Sequence, residues 1–424
     1  MLRLLVVVGM LAGIAGADLV YHGVATPPGA MNAWVVTIET TAVFHTTDFG
    51  TNWESQEILT IRDFFDVFFL DESRGWICGR VGVIYYTPDA GDTWMRQNLG
   101  GPKFATRIRF VDENHGWAAG GEAIMLYTAN GGSTWEMNFF PNPPYPSDTV
   151  DFQGLYMEDA NTGWLVAGRF PEGDTFAYGQ GYITRTTDGG TNWELQRRDT
   201  LYDFYDVAFP SSGTGVVVGG DDRTMDAVIL RTTDNGDNWT EVAAPAEAKF
   251  LRALKFVDQD LGFACGRNGT IIRTTDAGLT WTKQPVSVDT TLFDIDFADS
   301  LHGMVAGNSV VLYTTDGGGT WIRGLGGVAE RPSSGFPTAA LAVERNPSYG
   351  SVSFQVARTA HAGDLSIHDC LGRPVRLLRS DGGGRFEWDG LTEDGSQVSS
   401  GIYLARLEAG GDPETARFVY VSGR

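Results

Sequence analysis

Positive charge is scarce in this chain. Its 424 residues include 31 Lys and Arg against 53 Asp and Glu, which gives a formal net charge of −22. Affinity for nucleic acid comes largely from Lys and Arg that neutralise phosphates, and anionic membrane surfaces attract the same residues. The composition therefore argues against nucleic acid as the main partner and disfavours an anionic membrane surface.

Long apolar runs are also few, and the clearest one lies at the amino terminus. Arg3 is followed by an apolar stretch from Leu4 to Ile14 and then by a small-residue Ala-Gly-Ala sequence. This order is typical of a signal peptide, and the stretch is shorter than the roughly 20 residues that a membrane-spanning helix needs. We predict an exported chain with signal peptide 1–17, a mature start at Asp18 and no transmembrane segment after cleavage. The alternative is a membrane anchor.

Common catalytic and metal-binding motifs are missing as well. The six histidines are scattered without an H-x-x-x-H pair, and neither G-x-S-x-G nor C-x-x-C occurs. His115 and His302 each precede a glycine at matching turns, which favours a turn role over catalysis. We predict no cofactor and no metal site. With 53 acidic residues, a glycosidase-type pair of carboxylates stays open.

Glycine, by contrast, is abundant, and much of it belongs to one repeated string. The eight-residue pattern [ST]-x-[DN]-x-G-x-[TN]-W, here called the turn motif, occurs seven times at intervals of about 41 residues, two intervals being longer. Each later unit also holds two apolar runs separated by turns, which predicts four short strands per unit. We therefore predict an all-β chain whose residues 18–324 form a seven-bladed β-propeller. Its first inner strand is expected around Leu19 to Val24, and how the ring closes is left open.

The turn motif has a physical role between the third and fourth strands of each blade. Its acidic or amide side chain is placed to accept backbone N–H groups, its glycine to adopt a positive φ, and its tryptophan to pack between blades. The aspartates or asparagine are Asp48, Asp89, Asn130, Asp188, Asp234, Asp276 and Asp316, and the tryptophans are Trp53, Trp94, Trp135, Trp193, Trp239, Trp281 and Trp321. A calcium loop is disfavoured because the later bidentate Glu of such loops is missing. The motif resembles the Asp-box, or bacterial neuraminidase repeat.

The repeats predict where the three cysteines lie and whether they can pair. Cys78 and Cys265 occupy the same register on blades two and six, which predicts two small buried core residues. That separation exceeds the Cα distance that a disulfide can bridge, and Cys370 belongs to the tail, so we predict no disulfide.

The tail is expected to be a separate module. Residues 325–340 are rich in Gly, Pro and Ser and predict a linker, and residues 341–424 contain five short strand candidates that fit an Ig-like sandwich. The strings SIHDCLGRPVRLL and FEWDGLTEDGSQVSSGIYLARLEAG resemble the C-terminal sorting domain of type IX secretion substrates and the Ig-like domain of flagellar hook-capping proteins. This resemblance implies a partner in the export machinery and a secreted or outer-surface location. A plain Ig-like stalk domain is the alternative.

The propeller as a whole resembles the photosystem II stability and assembly factor family, which implies a non-catalytic binding role. The sorting-type tail departs from that family, so a thylakoid role is not carried over. The alternative is a sialidase-like glycoside hydrolase or a lectin, since Asp-boxes also occur in such proteins. No F-R-I-P string of sialidases is present.

Insertions in the repeats indicate where a protein or glycan partner would bind. All of them fall between strands two and three or between blades, on the face opposite the turn motifs, and they belong to adjacent blades. The candidate ligand-binding residues on this face, called here the insertion face, are Phe139, Phe140, Tyr145, Arg169, Phe170, Phe176, Tyr178 and Arg223. Aromatic residues and Arg dominate binding hot spots, although insertions also drift without function.

A second candidate is the central channel. Charged residues alternate with apolar ones on the inner strands, as in Arg107 and Arg109 or Asp294 and Asp296. We expect these charges to pair across the channel rather than bind a ligand. The sequence does not identify the ligand or the oligomeric state.

Overall fold

The chain folds as all-β structure, as predicted. The computed structural model describes residues 19–38, 42–58, 63–80, 82–97, 104–121, 124–139, 151–168, 181–326, 341–343, 348–349, 351–356, 364–369, 373–379, 385–399, 401–407 and 414–421. It divides into two compact units, one of Asp18–Ala329 and one that includes Glu330–Arg424. No helix in the described ranges is long and apolar enough to cross a membrane.

The first unit consists of seven antiparallel sheets of four strands, each built from consecutive strands. The first strand of each sheet is called its inner strand. Blades one to four contain β1 (Val20–Ala25), β2 (Ala33–Ile38), β3 (Ala42–Thr46), β4 (Glu54–Glu57); β5 (Phe64–Phe69), β6 (Gly75–Gly79), β7 (Val83–Thr87), β8 (Met95–Gln97); β9 (Ala105–Phe110), β10 (Gly116–Gly120), β11 (Ile124–Thr128), β12 (Glu136–Phe139); and β13 (Asp151–Met157), β14 (Gly163–Gly168), β15 (Gly181–Thr186), β16 (Glu194–Asp199).

The remaining three blades repeat this plan. They contain β17 (Tyr202–Ser211), β18 (Thr214–Asp221), β19 (Ala227–Thr232), β20 (Thr240–Val242); β21 (Leu251–Phe256), β22 (Gly262–Gly266), β23 (Ile271–Thr274), β24 (Thr282–Lys283); and β25 (Leu292–Phe297), β26 (Gly303–Gly307), β27 (Val310–Thr314), β28 (Ile322–Gly326). Each inner strand contacts the inner strands of the two neighbouring blades, and β25 contacts β1. The seven sheets therefore form a closed ring, which is a β-propeller.

Ring closure, which the sequence left open, depends on blade one packing against blade seven without sharing a strand. The backbone N–H groups of Val24 and Thr26 donate to Asp294 Oδ2 at 2.9 Å and Asp296 Oδ2 at 2.7 Å. The Ser309 N–H donates to the Leu19 carbonyl at 2.8 Å. Side-chain carboxylates, backbone hydrogen bonds and a shared apolar cluster thus join the first and last blades.

The turn motif forms a local hydrogen-bonded loop in every blade. In blade seven, Thr314 Oγ1 donates to Asp316 Oδ1 at 2.8 Å and accepts the Gly318 N–H at 2.9 Å, while the Thr320 N–H donates to Asp316 Oδ1 at 2.9 Å. Hydrogen bonds to the carboxylate, led by that of the Thr320 N–H, lower the pKa of Asp316. The other six motifs have the same backbone bonds to the side-chain oxygens.

The seven motif glycines all adopt a positive φ, between 78° and 91°. The residue before the glycine is also left-handed, even where it is Phe49, Ala90, Asn235 or Ala277. A side chain with a Cβ resists this conformation, so the hydrogen bonds of the loop must hold it. The sequence pattern did not reveal this second position.

Aromatic side chains fill the seams between blades. Second-strand residues Trp34, Trp76 and Trp164 stack on the last phenylalanine of the next inner strand, with ring centroids 3.7, 3.7 and 3.6 Å apart. The motif tryptophan packs edge-on against the same phenylalanine, as Trp94 does on Phe69 at 6.2 Å. In blades two and three its Nε1 reaches the previous blade, as Trp94 donates to Gln56 Oε1 at 3.3 Å. Trp53, Trp193 and Trp281 instead donate to the glycine carbonyl of their own motif. Each of these seams therefore contains three aromatic rings: the second-strand tryptophan, the inner-strand phenylalanine and the motif tryptophan. The sequence analysis predicted only the motif tryptophan.

Cys78 and Cys265 are fully buried free thiols in β6 and β22, in agreement with their predicted core position. Burial raises the pKa of each thiol well above its ordinary value, which makes them unreactive at neutral pH. Cys370 lies outside the described residues.

The second unit is a small β domain. Its strands are β29 (Leu341–Val343), β30 (Ser348–Tyr349), β31 (Val352–Val356), β32 (Leu365–Asp369), β33 (Pro374–Leu378), β34 (Arg385–Trp388), β35 (Gly401–Leu407) and β36 (Glu414–Val421). They form sheets of three and five strands, in the orders β29-β31-β34 and β30-β36-β35-β32-β33. One core joins residues of both sheets, among them Phe354, Trp388, Leu365 and Tyr403. Alternate residues face this core, as expected for paired β-sheets.

Replacement of Thr314 by Val should destabilise the propeller by about 1–3 kcal/mol, because it leaves the buried Gly318 N–H without an acceptor while keeping the side-chain shape. Urea unfolding followed by tryptophan fluorescence measures the change. Thr315→Val is the matched control, since Thr315 is exposed in the same turn. Equal stability of both variants would contradict the proposed role of the motif threonine.

Candidate functional site

The centre of the propeller is organised by a β-bulge that recurs in all seven inner strands. Each inner strand shifts by one residue against its neighbour, at equivalent positions. The seven bulged residues, here called the bulge ring, are His22, Phe65, Thr106, Gln153, Tyr205, Arg252 and Phe293. Bulges redirect side chains and often occur beside functional sites. The bulge ring was not apparent from the sequence.

The residue after the bulge is an aspartate on three blades, and each of these aspartates joins two blades. Asp66 Oδ2 accepts the Ile108 N–H of blade three at 2.9 Å, and Asp206 Oδ2 accepts the Leu254 N–H of blade six at 2.8 Å. Asp294 makes the corresponding bond to Val24 in blade one. Their other oxygens accept the N–H of the following residue in their own strand. We call Asp66, Asp206 and Asp294 the bracing aspartates.

Ion pairs in the channel join neighbouring inner strands. Arg109 Nη1 lies 2.6 Å from Asp66 Oδ2, which links blades three and two. Lys255 Nζ lies 2.7 Å from Asp296 Oδ1, which links blades six and seven. The expectation that inner-strand charges pair with one another is confirmed for these residues, but the pairs run along the ring rather than across the channel.

Two of the bracing aspartates resist ionisation. Burial, and after it the charge of Asp66, raises the pKa of Asp294 from 3.8 to about 7. Burial also raises the pKa of Asp206, while Arg107 and Arg109 oppose that shift. A carboxyl group whose folded pKa is raised binds its proton more tightly in the folded state, so its stabilising contribution falls as the pH rises.

A cavity of about 580 Å³ lies at the C-terminal ends of the inner strands, and all seven of them line it. Its wall combines partly exposed aromatic residues, Phe68 and Tyr156, with the ion-paired Arg109 and Lys255. The turns that follow these strand ends bond to the turn motifs, as the Ala90 N–H does to the Ser73 carbonyl at 2.8 Å. The cavity therefore lies on the motif side, opposite the insertion face.

Aromatic and guanidinium groups surround the other half of the channel, towards the insertion face. His22 stacks on Phe293 at 5.1 Å and donates its Nδ1–H to the Phe65 carbonyl at 2.6 Å. Burial, and then the charge of Arg107, lowers the pKa of His22 to about 4, so the ring is neutral at pH 7. The Arg252 guanidinium lies over Tyr205 at 4.7 Å and over Phe293 at 5.7 Å.

Most of the candidate residues on the insertion face cannot be placed. Phe139 is the last residue of β12, with only its backbone described. Arg223 lies in the turn after β18, where its Nε donates to Asp221 Oδ1 at 2.8 Å. Met225, two residues after Arg223, is exposed and has a φ of 60°. The residues outside the described ranges are Phe140, Tyr145, Arg169, Phe170, Phe176 and Tyr178.

His115 and His302 have the turn role that their positions predicted. Their Nδ1 atoms lie 2.8 Å from Asp112 Oδ2 and 2.9 Å from Asp299 Oδ2 in the turns between first and second strands. No group of three or more His, Cys, Asp or Glu side chains within the described part of the chain is arranged to hold a metal ion.

Fold and channel together define a seven-bladed β-propeller with an additional β domain. The propeller is similar to YCF48 in a structure of YCF48 bound to D1 peptide, at 18% identity and a TM-score of 0.54 over 71% of this chain and 95% of that chain. YCF48 from Cyanidioschyzon merolae matches at 18% identity and a TM-score of 0.55, over 71% of this chain and 96% of that chain. Identities this low show a shared fold alone.

PorZ, a bacterial surface component of the type IX secretion system of Porphyromonas gingivalis, matches more of this chain but less closely. The identity is 15% and the TM-score 0.45, over 96% of this chain and 66% of that chain. That similarity is too weak to support a functional argument. No known protein-family profile matches the chain, and no curated protein matches its sequence.

The stability of the protein should fall between about pH 4 and about pH 7 partly through Asp294. Its contribution is fully present below about pH 4 and is lost as the pH rises towards 7. Asp294→Asn should therefore flatten this fall by roughly 1–3 kcal/mol. Urea unfolding at several pH values measures the slope. The exposed Asp237→Asn serves as the control for loss of one negative charge, and a slope unchanged in Asp294→Asn would contradict the assignment.

Proposed function

We propose that this chain is a secreted or cell-surface, non-catalytic binding protein. Its propeller holds a protein or envelope-polymer ligand, and its C-terminal domain directs export. The observation that carries the proposal is the use of the channel carboxylates as braces. Asp66, Asp206 and Asp294 each accept backbone N–H groups from two blades. Carboxylates committed in this way hold the ring together and are poorly placed to exchange protons with a substrate.

The insertion face is the proposed binding face. A rigid ring presents the loops between blades and between strands two and three, and such loops on a scaffold commonly carry function. Arg223 supports this proposal because Asp221 holds its guanidinium in place, which lowers the entropy lost on binding. The left-handed Met225 beside it is a strained position of the kind that clusters at binding sites.

Similarities to other proteins also support the proposal. The YCF48 propeller has been observed with a D1 peptide, and this chain shares its fold. In its turn motifs the chain also resembles the Asp-box repeat, and in its tail the sorting domain of type IX secretion substrates. We therefore propose that the turns are Asp-boxes and that the second unit is an Ig-like domain read by the export machinery.

Capture of the ligand tests the binding proposal directly. The full-length chain serves as bait in envelope and secreted-fraction extracts of the source cells, with and without protease digestion of the extract. Capture that disappears after digestion identifies a protein ligand. Capture that survives digestion and yields carbohydrate identifies an envelope polymer.

Alanine substitutions at Phe170, Tyr178 and Arg223 should reduce capture about tenfold or more, because hot-spot aromatic and Arg side chains contribute most of the binding energy. Quantitative pull-down or surface plasmon resonance measures the loss. Leu279→Ala is the matched control, since this exposed residue lies in a turn motif on the opposite face. Equal loss in the control, or none in the three variants, would refute the insertion face as the binding face.

Deletion of residues 341–424 should trap the protein in the periplasm, because the tail is the proposed address label for passage across the outer membrane. Cell fractionation and protease shaving of intact cells measure delivery. Surface delivery that is unchanged after the deletion would refute the role of the tail while leaving the binding proposal intact.

A glycoside hydrolase is the second candidate, favoured by one observation. Asp206 and Asp294 line the 580 Å³ cavity, and burial raises the pKa of both, as for a general acid. Hydrolysis of a glycan panel by the chain, with loss of hydrolysis in Asp294→Asn, would establish this alternative and overturn the non-catalytic proposal.

A further inference from the structure

Three buried N–H donors in the channel have no protein partner. Arg107 Nε, Gln153 Nε2 and Arg252 Nε are buried and have no hydrogen-bond partner among the described residues, whereas Arg107 Nη1 donates to the Thr106 carbonyl. Arg107 is 6% exposed and Gln153 is 8% exposed. Leaving a buried donor without an acceptor is unfavourable, so three such donors in one region indicate a site for an acceptor.

These donors belong to the bulge ring or follow it directly. Gln153 and Arg252 are bulged residues, and Arg107 is the residue after the bulge in β9. The charge of Arg107 acts on His22, Asp206 and Asp294, which lie on three different blades. Arg107 Nη1 donates to the Thr106 carbonyl at 3.1 Å, so the guanidinium is held at the level of the bulge ring. We call Arg107, Gln153 and Arg252 the donor arc; it spans blades three to six.

Blade three and blade four are joined at this level, which brings Gln153 close to Arg107. Thr106 Oγ1 donates to the Phe152 carbonyl at 2.7 Å, and these two residues directly precede Arg107 and Gln153. Arg252 completes the donor arc from blade six, where its guanidinium rests on the Tyr205 ring of blade five.

The other side of the ring is aromatic and carries no net charge. Phe65, His22 and Phe293, here called the aromatic arc, lie on blades two, one and seven. His22 packs edge-on against Phe65 at 5.5 Å and stacks on Phe293 at 5.1 Å. His22 and Phe293 are only partly buried. The channel therefore presents hydrogen-bond donors on one side and ring faces and edges on the other.

We propose that the bulge ring binds a carboxylate carried on a planar apolar body. The carboxylate oxygens accept the N–H groups of the donor arc, and the apolar body packs against the aromatic arc. Buried donors with positive charge favour an anionic acceptor. The oxygens of the bracing aspartates already accept backbone N–H groups, and Asp66 Oδ2 also accepts Arg109 Nη1. The proximity of these carboxylates disfavours a dianion such as phosphate.

Benzoate is the probe for this site, because it joins one carboxylate to one aromatic ring. Isothermal titration of the full-length chain should show binding of benzoate and at least tenfold weaker binding of benzamide, which has the same shape without the charge. Arg252→Gln should weaken benzoate binding about tenfold or more, and Gln153→Leu should weaken it without any change in charge. Arg96→Gln, at an exposed position in β8, is the control.

Two outcomes would overturn the proposal: no benzoate binding by the folded protein at millimolar concentration, or equal affinity for benzoate and benzamide. Equal weakening by Arg96→Gln would show a general charge effect and would also overturn it. The melting temperature of each variant establishes that it is folded. The bulge ring is distinct from the loops of the insertion face, so failure here leaves ligand capture by those loops untouched.

Discussion

The structure depends on how separate blades are held to one another. Every blade completes its four-stranded sheet from consecutive strands, so no shared sheet closes the ring. The seams are instead held by carboxylates that accept backbone N–H groups of the next blade and by aromatic stacks such as Trp76 on Phe110. Because these contacts are made by side chains, the integrity of the ring depends on a few positions near the axis and a few in the seams.

This constraint divides the channel between structure and binding. The bracing aspartates occur on blades two, five and seven. On the blades without one, the same position is glycine, alanine or Arg107, and the bulged residue beside it is His22, Thr106, Gln153 or Arg252. All three members of the donor arc thus lie on blades that do not use an aspartate to hold the ring. The residues that hold the blades together and the residues available to a ligand therefore lie at or next to equivalent positions, but on different blades.

Sequence reasoning succeeded where the structure is local. The turn motif closes within seven residues, from Thr314 to Thr320, so its residue types and spacing predict its hydrogen bonds directly. The hydrogen bond from the Ile108 N–H to Asp66 joins residues 42 positions apart, and no local sequence pattern around Asp66 predicts it. The bulge ring was missed for a similar reason: a one-residue register shift is a relation between two strands, and it leaves no pattern within either one. The binding role of the insertion-face residues stays a prediction, including that of Arg223, whose position in the turn after β18 is described.

The two sides of the disc differ in what a ligand could reach. On the motif side, the wall of the 580 Å³ cavity contains Arg109 and Lys255, whose charges are already paired with Asp66 and Asp296. A ligand there would have to separate buried or half-buried ion pairs, which is unfavourable. Towards the insertion face, Arg107 Nε and Arg252 Nε have no hydrogen-bond partner among the described residues, and the aromatic surfaces are partly exposed. An acceptor at that level satisfies buried groups without breaking an existing contact, so recognition is favoured on the insertion side of the bulge ring.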